Sequence, residues 1–240
     1  MLFWDNKTKE FINKIEIYDI NEELMSEALT HPSFNYEKSL EDAPNYERLE
    51  FLGDSVLRLS LSDYLFDKYP NDNEGKLTKI RSYLVSDECL AIVAQTINLG
   101  DYLYIGEHEL KDGGKTKESI LACAMEAVLG AIYKSVNYET AKQFIYSLYS
   151  HIDVEPDKIL YSYNSKEMLQ QYTQGLNKDL PEYKIVKEEG PAHKKTYEVC
   201  VIYHGEILGA GVAKTKKEAE KLAAFDAVKK LNIIQGEKNE

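Results

Sequence analysis

The 240-residue chain is poor in cysteine, tryptophan and proline, with three, one and six of them. Cys89, Cys123 and Cys200 form no CxxC pair, which excludes a disulfide scaffold and a cysteine zinc site and favours a reducing, cytoplasmic location. No apolar run approaches the roughly 18 residues that a membrane helix needs. The first residues, MLFWDNKTKEF, lack a basic segment followed by an apolar one, so we expect no signal peptide and no membrane partner.

Negative charge dominates the composition: 29 Lys and Arg stand against 41 Asp and Glu, a net charge of −12. The distribution is uneven. Residues 164–240 carry 13 lysines and 12 acidic residues, which leaves 16 basic and 29 acidic residues for the first 163. This asymmetry predicts two domains with different partners, one strongly acidic and one with clustered lysines.

The hydrophobic pattern also divides the chain. Residues 1–150 show apolar spacings of three and four and no clear strand, which predicts a mostly α-helical domain. Residues 151–163 are polar and without period, as in a linker. Residues 164–233 predict a helix, three strands and a helix, an α+β domain of order α-β-β-β-α. Residues 234–240 are expected to form a C-terminal tail.

Local signals define the elements of this second domain. Its first helix, SKEMLQQYTQG, is expected to begin at Ser165 and stop at Gly175. His204 and Gly205 form the tight-turn signal between the second and third strands. Thr215 is the expected N-cap of the last, alanine-rich helix.

The most informative segment of the first domain is NYERLEFLGDSVLRLSLSDYLF, residues 45–66. At about 100° per residue, Glu47, Glu50 and Asp54 share one narrow face of a helix. A separate apolar face contains Leu49, Leu52, Val56 and Leu59. Like charges at these spacings oppose helix stability by a few tenths of a kcal/mol each, and a shared divalent cation is the usual reason for such a cluster. Hard oxygen ligands in this number suit Mg²⁺ or Mn²⁺.

A second helix, residues 117–133, offers a partner for that face. On one side it aligns Glu126 with the small residues Cys123, Ala127 and Gly130, which would allow another helix to approach closely. Glu126 would then meet Glu50 and Asp54 across a helix pair. From spacing alone, solvated surface charges explain these acids equally well, because spacing does not show that the two helices pack together.

The motif NYERLEFLGDSVL (45–57) closely resembles the nuclease motif of bacterial ribonuclease III. The segments LTHPSF (29–34), NEGKLTKIRSYLVS (73–86) and ESILACAMEAVLGAIY (118–133) are similar to the flanking segments of that family, in the same order. Residues 164–233 resemble the double-stranded RNA-binding domain. The resemblance covers nearly all of the chain, and a motif this long is specific.

The resemblance implies an endoribonuclease that hydrolyses phosphodiester bonds of double-stranded RNA and processes ribosomal, messenger and transfer RNA precursors. It implies a homodimer formed through the nuclease domain and dependence on Mg²⁺, with Mn²⁺ as a possible substitute. Carried over by position, Glu50, Asp54 and Glu126 are metal ligands, and Asp54, Glu126, Glu47 and Glu74 are catalytic. The metal would lower the pKa of the attacking water and stabilise the transition state, and Asp54 would orient or deprotonate that water.

One departure from the family matters. Ribonuclease III usually has Asp three residues before the second-helix Glu, and this chain has Cys123 there. An unperturbed thiol is mostly neutral at pH 7, and sulfur is a poor ligand for Mg²⁺. The main expectation is a weakened but active metal site. The alternative is a dimeric protein that binds double-stranded RNA without cleaving it.

In the second domain, the resemblance implies three surfaces that contact the RNA duplex. They comprise a first helix, a loop and the start of the last helix, with the following residues: Gln170, Gln171 and Gln174; His193; Lys214, Lys216, Lys217 and Lys221. The last helix is expected to face inward with Ala219, Leu222, Ala223 and Val228. Where the family usually has a third lysine, this chain has Glu220, which predicts modest affinity with strong salt dependence.

Overall fold

The computed structural model describes residues 6–40, 42–150, 164–177, 179–190 and 195–233. The chain divides into two compact units, Met1–Asp153 and Val154–Glu240. The predicted linker, 151–163, and the predicted tail, 234–240, lie outside the described residues. Within the described part, no helix has both the length and the apolar character needed to cross a membrane.

The first unit is helical, as the sequence predicted. Its helices are α1 (Asn6–Ile15), α2 (Glu22–Ala28), α3 (Pro32–Glu37), α4 (Glu47–Lys68), α5 (Glu74–Leu84), α6 (Asp87–Thr96), α7 (Glu107–Lys111), α8 (Glu118–Ser135) and α9 (Tyr138–Tyr149), with a 3₁₀ turn at Leu99–Asp101. Extended pairing among the described residues of this unit is limited to one isolated bridge between Thr30 and Tyr104. The predicted mostly α-helical class is therefore confirmed.

Side-chain caps fix where several of these helices begin. Asn73 accepts a hydrogen bond from the Lys76 backbone N–H at 2.9 Å at the start of α5, and Ser86 accepts one from Cys89 at 3.3 Å at the start of α6. Such caps satisfy backbone donors that have no partner within the helix. They place Glu74 and Asp87 in the first turns of their helices.

The core of the first unit is built around α8, whose residues from Ile120 to Ile132 are almost all buried. A helix that is apolar on nearly all sides is one that other helices surround. Helix α4 crosses it at Gly53 and Gly130. A Cβ added at Gly130 would lie 2.3 Å from the carbonyl oxygen of Leu49, so a side chain there would force the helices apart.

The apolar face predicted for α4 is partly wrong. Leu49 and Val56 are buried against the core, but the side chain of Leu59 is 58% exposed. The face that packs inward instead includes Gly53, Leu57, Ser60 and Leu61. Gly53 lies at the crossing with α8, where only a small residue allows the two helices to approach closely. The inward face of α4 therefore includes this glycine as well as leucines and a valine.

The second unit has the predicted order: α10 (Ser165–Asn177), β1 (Glu182–Glu189), β2 (Thr196–Tyr203), β3 (Glu206–Ala213) and α11 (Lys216–Lys230). The strands form one antiparallel sheet in the order β1-β2-β3. Both residues of the predicted tight turn have positive φ, 49° at His204 and 84° at Gly205, as a two-residue hairpin requires. Thr215 caps α11 by accepting from the Glu218 N–H at 3.2 Å. The first helix was predicted to stop at Gly175, but it continues to Asn177. An interior glycine lowers helix stability by only about 1 kcal/mol relative to alanine and need not end the helix.

The core of the second unit lies between the sheet and α11. It contains Leu169 of α10, two valines of β2 and five residues of α11: Val199, Val201, Ala219, Ala223, Ala224, Ala227 and Val228. The alanines let the helix lie close to the sheet. The inward orientation expected for Leu222 is wrong: its side chain is 45% exposed, because it lies at the border of the alanine face and outside the core.

Candidate active site

Carboxylates from three helices of the first unit line one open cavity of about 520 Å³. The cavity lies where α4, α8 and the start of α6 meet. Its lining residues are Glu47, Glu50, Phe51, Asp54, Ser55, Arg58, Val85, Asp87 and Glu126. Five of these nine side chains are acidic and one is basic, so the cavity is strongly negative.

The crossing of α4 and α8 brings the acids together. Glu47, Glu50 and Asp54 lie along one face of α4 by their spacing, and Glu126 comes from the facing side of α8. The backbone of Glu126 runs against Gly53, where an added Cβ would lie 1.7 Å from the Glu126 carbonyl oxygen. The close helix pair that the small residues of α8 would allow is thus present, and it places Glu126 beside the acidic face of α4.

The carboxyl group of Glu126 has a pKa far from its ordinary value. Burial, followed by the negative charges of Asp54 and Glu50, raises its pKa to about 8, while Arg58 opposes the rise. A carboxyl group with such a pKa holds its proton over much of the neutral range. At pH 7 the Glu126 carboxyl group is therefore mostly protonated and neutral in the metal-free protein.

Arg58 provides a cation within the cavity. Its Nε donates to both carboxylate oxygens of Asp54, at 2.7 and 2.9 Å. Asp54 and Arg58 are one helical turn apart on α4, so the backbone itself holds the pair in register. The side chain of Arg58 is 53% exposed and that of Asp54 is 34% exposed.

Cys123 lies next to Glu50 but does not line the cavity. Burial, followed by the charge of Glu50 and a hydrogen bond to that carboxylate, raises the pKa of its thiol to about 12. Tyr46 hydrogen-bonds to the same thiol, and burial raises the pKa of this tyrosine as well. The thiol is therefore neutral at pH 7 and serves Glu50 as a hydrogen-bond donor.

The donor set suits a hard divalent cation. The ligating atoms that reach the cavity are carboxylate oxygens, which Mg²⁺ and Mn²⁺ prefer. Among the described residues, however, no three Asp, Glu, His or Cys side chains lie close enough together to hold one ion. An ion bound at these carboxylates would therefore take much of its coordination shell from water, unless one of the side chains moved toward it.

The sequence-predicted acids do not all reach this cavity. Glu50, Asp54, Glu126 and Glu47 line it, whereas Glu74 is absent from its lining. Glu74 occupies the first turn of α5, where its carboxylate accepts a hydrogen bond from the Thr78 hydroxyl at 2.9 Å.

Two charged residues of the cavity, Arg58 and Asp87, were not predicted from the sequence. Arg58 follows Asp54 at the i,i+4 spacing of an ion pair, and this spacing is a signal that could have found it. Asp87 follows the cap Ser86, and only the packing of α6 near α8 reveals that it faces Glu126.

The residues expected to bind RNA lie on the second unit. Gln170, Gln171 and Gln174 are exposed on α10, and Gln171 donates to Glu167 at 3.1 Å. His193 lies outside the described residues. These amides are accessible to a ligand along the outward face of the helix.

The expected lysines surround the N-terminus of α11. Lys214, Lys216 and Lys217 are exposed and Lys221 is half-buried. Lys216 pairs with Glu188 at 3.4 Å and lies over the ring of Tyr197. The positive end of the helix dipole adds to their charge, so this end of the helix favours phosphate.

Glu220, which replaces the usual third lysine, has a partner within the unit. Its carboxylate accepts from Lys166 of α10 at 2.5 Å, so it joins α10 to α11. The acid is therefore partly neutralised by a lysine of this chain.

Comparisons with known proteins agree along most of the chain. Residues 21–152 match the family described as Ribonuclease-III-like, and residues 165–231 match the double-stranded RNA binding motif. Two relatives named Ribonuclease 3 are similar over most of their length. The protein of Syntrophomonas wolfei is 41% identical over 95% of this chain and 96% of its own. The protein of Bacillus velezensis is 38% identical over 93% of this chain and 89% of its own length.

Solved structures give the same result for the first unit. Two structures of the nuclease domain of ribonuclease III from Campylobacter jejuni are each 36% identical to this chain, with TM-scores of 0.56 and 0.55. They cover 62% and 64% of this chain and 100% and 98% of their own. One of them concerns structural flexibility in the region of that domain involved in dimer formation.

Proposed function

The chain belongs to the ribonuclease III family, and on this premise we propose that the cavity between α4 and α8 is its nuclease centre. The protein is an endoribonuclease specific for double-stranded RNA, and its family requires a divalent metal ion. We assign Mg²⁺ as the physiological ion, with Mn²⁺ as a substitute. The observation that carries the proposal is the meeting of Glu126 with Glu50 and Asp54 in one cavity.

Glu50, Asp54 and Glu126 would hold the ion. When bound, the ion lowers the pKa of the attacking water and offsets negative charge on the transition state. Asp54 orients or deprotonates the water, for which its position on the cavity wall is suited. Glu126 must lose its proton to bind a metal, so its raised pKa couples metal binding to pH.

Glu47 and Glu74 are proposed to act as auxiliary acids. Glu47 begins α4 and lies at the cavity wall, where it would position groups of the scissile strand. Glu74 is placed in this role by its match to the family alone, because its carboxylate faces Thr78 and not the cavity.

We propose that the protein is a homodimer formed through the nuclease domain. Three large apolar side chains on the outward side of α4 support this: Phe51, Leu59 and Phe66 are 79%, 58% and 71% exposed. Exposed apolar groups of this size on one face mark an interaction surface. Phe51 also lines the cavity, so a dimer contact there would lie beside the nuclease centre.

The second unit is proposed to bind the RNA duplex through its glutamines and lysines. Gln170, Gln171 and Gln174 would contact 2′-hydroxyls, and His193 would reach the next minor groove. Lys214, Lys216, Lys217 and Lys221 would contact phosphates. Ribosomal RNA precursors and structured messenger and transfer RNA precursors are the substrates we propose. The three free thiols support a cytoplasmic location.

The test is cleavage of a long RNA duplex with Mg²⁺, with Mn²⁺ and with a chelator, using wild type and Glu126→Gln. The amide keeps the shape of Glu126 and removes the charge that holds the metal. We expect discrete shortening by the wild type with either metal, and binding without cleavage by the variant. Near-normal metal-dependent cleavage by Glu126→Gln would refute the site. Binding without cleavage by the wild type under both metals would favour the non-cleaving alternative.

A further inference from the structure

Asp54 is held by a cation of this chain. Both of its carboxylate oxygens accept hydrogen bonds from Arg58 Nε, at 2.7 and 2.9 Å, within the cavity that the other acids line. A carboxylate has further lone pairs, but a guanidinium and a divalent ion at the same two oxygens repel one another at a separation of a few ångströms. Arg58 therefore competes with a divalent ion for Asp54.

The arrangement of the other acids agrees with this view. Four more carboxylates share the cavity, yet within the described residues no three ligating side chains are positioned to hold an ion. Turning Asp54 away from Arg58 would free its oxygens toward the cavity. The pair is substantially exposed, and exposed pairs are weak and easily exchanged.

We propose that the Arg58 guanidinium and the divalent ion bind Asp54 in alternation, so that Arg58 sets the metal concentration at which the nuclease centre assembles. This inference rests on the proposed metal-binding role of Asp54. In the metal-free protein, Arg58 positions Asp54 and offsets the mutual repulsion of the acids. When the ion binds, the guanidinium turns toward solvent, which its exposure on the surface of α4 permits.

The experiment measures Mn²⁺ binding calorimetrically to the full-length chain without RNA. It compares wild type, Arg58→Gln and Arg58→Lys with Arg48→Gln as the matched control. Arg48 lies on the same helix, is exposed and does not line the cavity, and its substitution changes net charge equally. We expect Arg58→Gln to bind Mn²⁺ roughly threefold more tightly, the size expected for loss of an exposed ion pair. Arg48→Gln should match wild type.

Arg58→Lys should fall between wild type and Arg58→Gln, because lysine keeps the charge but lacks the planar fork of donors. It also provides the test if Arg58→Gln does not fold. Unchanged or weaker Mn²⁺ binding by Arg58→Gln would overturn the inference. An equal increase in Mn²⁺ affinity in Arg48→Gln would also overturn it, because the change in net charge alone would then explain the effect. If Arg58→Gln bound Mn²⁺ normally but cleaved RNA poorly, Arg58 would be an RNA contact instead. Failure of the wild type to bind Mn²⁺ at all would refute the metal site itself.

Discussion

The Cα of Gly53 faces the backbone of Glu126 so closely that a Cβ at position 53 would lie 1.7 Å from the Glu126 carbonyl oxygen. No side chain fits there unless α4 and α8 separate. The same contact that packs the core of the first unit therefore holds Glu126 next to Glu50 and Asp54. Stability and the geometry of the nuclease centre depend on one helix crossing.

We expect Gly53→Ala to lower the free energy of unfolding by about 3 kcal/mol or more, because overpacking here meets backbone and not a flexible side chain. Cleavage should be lost even below the melting temperature, since the helices must separate. Gly175→Ala is the matched control: it is a helical glycine with nothing within 4 Å of an added Cβ. That change should stabilise α10 by roughly 0.5 to 1 kcal/mol. Thermal unfolding and cleavage assays of both variants check this, and a stable, active Gly53→Ala would contradict it.

The raised pKa of Glu126 predicts a pH dependence. In the folded protein this group keeps its proton up to about pH 8, whereas in the unfolded chain it loses the proton near pH 4.5. The folded state thus binds more protons between these values, so the stability that this group contributes to the metal-free protein is fully present below about pH 4.5 and declines as pH rises toward 8. Glu126→Gln should remove that slope.

Metal binding should show the opposite trend. Because the ion competes with a proton for Glu126, the Mg²⁺ concentration for half-maximal cleavage should fall as pH rises from 6 toward 8. Denaturant unfolding across this pH range, for wild type and Glu126→Gln with a chelator, measures the first effect. Mg²⁺ titrations of cleavage measure the second. Parallel stability curves for the two proteins would show that Glu126 titrates normally.

The sequence predicted the helical class and the α-β-β-β-α order, because both depend on local spacing. It left the meeting of α4 with α8 as one of two equal alternatives, because spacing does not show which helices pack together. Leu59 and Leu222 were predicted to be buried and are exposed. Helix periodicity locates an apolar side to within about one residue, but it does not tell a core position from one that faces a partner. Asp87 was missed because it joins the site only through the packing of α6, which no local pattern encodes.

The exposed apolar face of α4 predicts a dimer that a single charge disrupts. We expect Leu59→Glu to convert the protein to a monomer, because a carboxylate at the centre of an apolar interface loses hydration without a partner. Leu59 does not line the cavity, so the folded monomer keeps its carboxylates. Leu176→Glu is the control, since Leu176 is 56% exposed and lies in the other unit. Sedimentation or light scattering gives the mass, and a dimeric Leu59→Glu would place the interface elsewhere.

The lysines at the start of α11 predict salt-dependent RNA affinity. Replacing Lys216 and Lys217 together with alanine should weaken duplex binding and reduce the slope of log K against log salt by roughly 0.9 for each phosphate that the protein no longer neutralises. Melting should change little because both side chains are exposed. Replacing Lys229 and Lys230 at the other end of the same helix removes equal charge and should leave the slope nearly unchanged. Equal effects of the two double variants would indicate non-specific attraction.

Cys123→Asp tests whether the thiol occupies a position from which a side chain can serve the metal. The thiol donates to Glu50 and is one helical turn before Glu126, so an aspartate there would add a carboxylate beside both. Cys and Asp are similar in size, and the site is only half-buried, so packing should tolerate the change. Without metal, however, the new carboxylate would crowd Glu50 and Glu126 and would lose the hydrogen bond that the thiol donates.

We therefore expect Cys123→Asp to melt at a lower temperature than wild type in chelator and to need less Mg²⁺ for half-maximal cleavage, because the bound ion offsets the added charge. Cys123→Ser is the control, since its hydroxyl keeps a donor to Glu50 and adds no charge. It should leave the Mg²⁺ requirement close to that of wild type. Melting curves with and without Mg²⁺ test the expected change in stability, and Mg²⁺ titrations of cleavage test the expected change in metal requirement. If Cys123→Asp needs as much Mg²⁺ as wild type, or unfolds even when metal is present, then position 123 belongs to the core and not to the nuclease centre.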